Sequence, residues 1–142
     1  MGSAEKALVI LLRLNAVLLL MALFPMVMPF AWMEATHQWL GMGELPAGPI
    51  IGYLTRSCSL LYALHGALLL YVSLDVRRFL PLIRFLAVLG IAFGLGMLAL
   101  DWAVRMPLYW IIGEGPLIAA VGAVFLWLAR RTERDIAKAE SS

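Results

Sequence analysis

The chain has 142 residues, 63% of them hydrophobic and 14% charged, which leaves too little polar surface for a water-soluble domain, where about half the residues are apolar and about a quarter charged. The formal net charge of +2 is small, and the basic residues form no continuous stripe, which excludes a nucleic-acid interface. Cys58 is the only cysteine, so neither an intrachain disulfide nor a Cys-x-x-Cys redox pair can form.

The first apolar run, ALVILLRLNAVLLLMALFPMVMPF, spans residues 7–30. It is longer than the core of a cleaved leader, about 7–15 residues, and Arg13 and Asn15 interrupt it. It is therefore expected to be a retained membrane span. Pro25 and Pro29 should bend its far end or stop it early. Residues 31–49 follow as AWMEATHQWLGMGELPAGP. Met33, His37 and Leu40 recur at helical spacing, and Trp32 and Trp39 suit the headgroup level, so a short interfacial helix is expected before a Gly- and Pro-rich loop.

The second run covers residues 50–74 and contains YLTRSCSLLYALHG. The third covers 79–102 and the fourth 107–129, with a charged tail over 130–142. Each run supplies about 24 residues, or roughly 35 Å of helix, enough to cross a bilayer with some tilt. The fold class expected is an all-α membrane protein, one domain, with four transmembrane helices. In the fourth run, Gly113 to Pro116 should kink or loosen a helix that starts near Pro107.

Orientation follows from the basic residues. Lys6 and Arg13, then Arg77, Arg78 and Arg84, then Arg130, Arg131, Arg134 and Lys138 share one side of a four-span chain, leaving only Arg56 and Arg105. The positive-inside rule makes that side cytoplasmic, with both termini inside. The expected location is a bacterial inner (cytoplasmic) membrane.

Small residues mark where helices approach in lipid. The second run carries Gly52, Ser59, Gly66 and Ser73 at seven-residue spacing; the third carries Ala87, Gly90 and Gly94; the fourth carries Gly115, Ala119 and Gly122. Such faces suit a compact bundle and equally a homodimer or larger membrane complex. Partners are expected to be membrane lipids and other membrane segments.

Chemistry is sparsely signalled. No nucleophile elbow, H-E-x-x-H or phosphate-cradling loop occurs, and no catalytic residue, metal site or cofactor is assigned. His65 is an intramembrane ionisable group, but the only other histidine, His37, lies in the first connection, which disfavours bis-histidine haem. Met26, Met28, Met33 and Met42 with His37 would be the copper alternative. The more informative set is a polar cluster near the outer face: Arg56, Asp101, Arg105 and Glu114, continued inward by Tyr62 and His65. Arg56 enters its run by roughly 9 Å and is expected to pair with Glu114, with Asp101 as the competing partner. Asp101 and Arg105, four apart, could pair along a helix that continues past both.

The order GELPAGPIIGYLTRSCSLLYALHG, SLDVRRFLPLIRFL, DWAVRMPLYWIIGEGP resembles small four-span proteins of bacterial inner membranes and is distantly similar to the DoxX-like and DUF4345 groups. That resemblance implies a four-helix membrane bundle and brings no activity with it. The leading expectation is an accessory or structural role through protein or lipid contacts. The alternatives are a binding protein for an apolar small molecule (a quinone or lipid) under the polar cluster, and a haem or copper carrier.

Overall fold

Proline decides where the first apolar run breaks. In the computed structural model, which describes residues 2–141, α1 covers Ser3–Leu20 and α2 covers Leu23–Val27. Pro25 has no N–H to give Met21, and its ring crowds that carbonyl, so the turn opens at Met21 and Ala22, a turn earlier than the proline itself. Met28 precedes Pro29 and is extended, with ψ 134°, as a pre-proline residue prefers. Pro29 then caps α3, Phe30–Trp39, which occupies the stretch where an interfacial helix is expected. Positive φ at Gly41, Gly43 and Gly48 carries the chain through the loop to α4, Pro49–Val72.

Asp75 starts α5, Val76–Ala103, by accepting a hydrogen bond from Arg78 N at 3.2 Å. The helix stops because Arg105 adopts φ 60°. Pro107 caps α6, Leu108–Gly113, and after Glu114 the helix α7 runs over Gly115–Glu140 with Pro116 in its first turn. The loosened turn at 113–116 is thus a one-residue break between two helices. The charged tail is not a separate segment, since α7 continues through it to Glu140.

Among the described residues three stretches are long and apolar enough to cross a membrane: Ser3–Val27, Val76–Ala103 and Leu108–Glu140. Helix α4 has the length, at 24 residues. It is not among the three because Thr55, Arg56, Ser57, Ser59 and His65 lower its mean hydropathy.

The chain divides into two compact units. One comprises Met1–Leu12 with Val72–Ser142, the other Arg13–Tyr71. In the first, α5 and α7 pack antiparallel, their register fixed by Gly94 facing Ala119, Gly115 facing Leu98, and Gly122 facing Ala87 and Ile91. A Cβ added to Gly94 would lie 2.5 Å from Ala119 N and 2.6 Å from Gly115 O, so the backbones touch where no side chain intervenes. Gly90 belongs to the same small-residue run but stands 3.8 Å clear of Gly122 Cα by the same measure. In the second unit, α4 meets α1 at Gly66, whose added Cβ would lie 2.9 Å from Ala16 O and 3.0 Å from Leu20 N.

Candidate functional site

The polar residues of α4 are mostly satisfied by their own helix. Thr55 Oγ1 donates to Ile51 O, and Ser59 Oγ, on a buried side chain, donates to Thr55 O, both at 2.9 Å. Back-bonding to the carbonyl one turn earlier lets a hydroxyl sit in an apolar setting without a distant partner. Arg56 does more. It donates to Gly52 O on its own helix and, 28 residues away, to Met28 O, each at 3.2 Å. Met28 O is available because the prolines stop the helix there; Trp32 N turns instead to Pro29 O. The guanidinium therefore caps the break between α2 and α3. Gly52 leaves room for this, since an added Cβ would fall 2.9 Å from an Arg56 nitrogen. Tyr62 is half-buried on the same helix, whereas Cys58 and His65 are exposed.

The expected partners of Arg56 lie in the other unit. Glu114 is half-buried between α6 and α7 and accepts from Trp110 Nε1. Asp101 is buried near the end of α5, at 4% exposure, and its Oδ2 has no hydrogen-bond partner among the described residues. Arg105 is exposed, just past the end of α5 at Ala103, so the continuous helix that an Asp101–Arg105 pair requires stops between them.

Two long-range ion pairs of the first unit were not expected. Arg77 grips Glu5 with both ends of its guanidinium, Nε to Oε1 at 2.8 Å and one terminal nitrogen to Oε2 at 3.0 Å. Gly2 N adds a 3.3 Å contact to the same carboxylate. Arg84 holds both oxygens of Glu133 at 2.9 Å. The sequence shows acids within the basic regions, Glu5 beside Lys6 and Glu133, Asp135 and Glu140 in the tail, but nothing local to Glu5 or Glu133 says which arginine it meets.

Two clefts stand out, both in this unit. One, of about 380 Å³, is lined by Glu5, Arg77, Thr132, Asp135 and Glu140, and the buried Thr132 Oγ1 has no partner among the described residues. The other, of about 570 Å³, runs along α7 over Leu126, Trp127, Arg130, Arg134 and Lys138, with Ile91 of α5 at its edge. Neither is lined by Arg56, Asp101, Arg105, Glu114, Tyr62 or His65. Among the described residues no three His, Cys, Asp or Glu side chains converge as a metal site would need. His37 turns its Nδ1 to Gly43 O at 3.0 Å, which ties the loop to α3. No protein-family model, curated protein or solved structure matches the chain.

Proposed function

We propose that the chain is a four-span integral membrane protein, with α4 as its second span and both termini in the cytoplasm, acting as an accessory or structural component through lipid or protein contacts. One observation carries this reading. The apolar windows of the three long helices are only 17%, 17% and 28% buried within the chain. Leucine, valine and phenylalanine side chains such as Leu18, Phe93 and Leu117 point outward. In water that surface would cost about 25 cal/mol per Å²; in a bilayer it is solvated by acyl chains or by another membrane segment.

The same setting supports α4 as a span. Its hydroxyls bond to its own backbone, and Arg56 lies toward one end with two carbonyl acceptors, where a charge costs less than at the bilayer centre. Neither of the two clefts described is lined by the outer polar residues, so neither lends support to the small-molecule alternative. Fractionation with alkaline carbonate tests the reading: the full chain should stay with the membrane pellet and, after mild detergent extraction, retain lipid or a protein partner. Release by carbonate would refute it.

A further inference from the structure

The groove along α7 combines two chemistries in sequence. Ile91, Ala123, Leu126 and Trp127 make its apolar part, and one turn further on Arg130, Arg131, Arg134 and Lys138 make it basic, with Asp135 as the only acid. Leu126, Arg130, Arg134 and Lys138 follow at four-residue spacing, so they share one helix face. The opposite face, with Phe125, Leu128 and Thr132, is buried. A hydrocarbon thickness of about 30 Å takes up about 20 helical residues, which counted from Leu108, where this apolar stretch begins, ends near Trp127. The apolar part of the groove is thus at acyl-chain depth and the basic part at headgroup depth.

Two of its arginines, Arg130 and Arg134, are not spent on the protein. Glu133, which neighbours Arg134 in sequence, is taken by Arg84. Arg130 and Arg134 are exposed and enter no ion pair among the described residues. Arg131 lies over the Trp127 ring at 5.4 Å, which stiffens the wall where the two parts of the groove meet.

We infer that this groove binds the headgroup of an anionic phospholipid, its phosphodiester held by Arg130 and Arg134 and an acyl chain lying over Leu126, Trp127 and Ile91. A free phosphate would share the charge chemistry but would leave the apolar part uncovered. The inference rests on the membrane reading above and commits one face of the chain to one lipid class. Guanidinium groups suit a phosphodiester because they present paired donors, and basic grooves at cytoplasmic helix ends are where such headgroups collect.

Native mass spectrometry of the full chain, released from micelles doped with either phosphatidylglycerol or phosphatidylcholine of matched acyl chains, tests this. The parent should keep phosphatidylglycerol in preference to phosphatidylcholine. Each arginine near the surface contributes about a five-fold effect, so Arg130→Gln with Arg134→Gln should weaken phosphatidylglycerol retention about 25-fold and leave phosphatidylcholine unchanged. Replacing both by lysine should preserve most of the preference, and Arg78→Gln, at another helix end, should preserve all of it. Equal retention of the two lipids by the parent overturns the inference, and that comparison decides even where the double variant fails to fold. A preference that survives the double Gln variant overturns it too. Displacement of phosphatidylglycerol by millimolar inorganic phosphate would assign the groove to a free oxyanion instead. A protein that resists carbonate but shows no lipid preference fails here while the membrane reading stands; a protein released by carbonate fails the reading itself.

Discussion

Gly94 is where the antiparallel packing of α5 on α7 is most sharply constrained. A methyl at Gly94 would sit 2.5 Å from Ala119 N, 2.6 Å from Gly115 O and 3.0 Å from Ala119 Cα. All three are backbone atoms, so no rotamer change relieves the clash and the helices must separate locally. A radial gap of about 0.5–1 Å forfeits a quarter to a half of each dispersion contact along the seam. Overpacking of this kind costs about 1–3 kcal/mol. Against it stands the helix-propensity gain of Gly→Ala, about 1 kcal/mol at most. Gly96, two residues on, has nothing within 4 Å of an added Cβ, so Gly96→Ala collects the gain without the clash. Gly90→Ala meets only ordinary contact at 3.8 Å. Unfolding by SDS in mixed micelles, followed by far-ultraviolet circular dichroism, should place Gly94→Ala about 1–3 kcal/mol below Gly96→Ala, with Gly90→Ala near the latter. If Gly94→Ala unfolds within about 0.5 kcal/mol of Gly96→Ala, the close approach of these backbones is wrong.

Arg56→Met should free the Met28 carbonyl and loosen the α2–α3 break, so amide hydrogen exchange over residues 30–33 should quicken on the order of ten-fold, from a charged hydrogen bond worth about 1.5 kcal/mol on a half-exposed side chain; unchanged exchange there would show that the guanidinium does not hold the break. Asp101→Asn keeps the shape and puts a neutral amide in place of a buried carboxyl group with an unpartnered oxygen. It should leave the SDS midpoint equal to the parent's or higher, by up to about 2 kcal/mol. A clear drop would mean that the carboxylate has a partner essential to the fold.

The sequence made the helices legible because a bilayer demands long apolar runs, and their length and glycine content can be read without knowing who packs on whom. Gly66, Gly94, Gly115 and Gly122 belong to small-residue faces in the sequence, and an added Cβ at each would meet the backbone of another helix. Gly90 was not distinguishable from Gly94 in sequence, because a rotation of one turn about the helix decides which glycine faces α7. Pro25 and Pro29 signal a bend or an early stop in the first run, and the opening falls at Met21 and Ala22 because a proline acts on the carbonyl four residues before it. Arg77 with Glu5 and Arg84 with Glu133 depend on which helix ends come together, which hydropathy does not encode. The sequence reading of Arg56 is a pair with Glu114 or Asp101, whereas its side chain donates to Gly52 O and Met28 O. Its acceptor on Met28 was illegible because a backbone carbonyl becomes available only once the prolines have stopped the helix.

The parity of spans is the most direct test of the central claim. If α4 crosses the bilayer, the chain has four spans and its termini share a side; if α4 does not, the three remaining long helices put the termini on opposite sides. Alkaline phosphatase, active only outside, and a fluorescent protein that matures only in the cytoplasm can each be fused after Gly43, Asp75, Arg105 and Ser142. Four spans with cytoplasmic termini give phosphatase activity at Gly43 and Arg105 and fluorescence at Asp75 and Ser142. Phosphatase activity without fluorescence at Ser142, with a cytoplasmic N-terminus, would contradict this arrangement and remove α4 from the membrane.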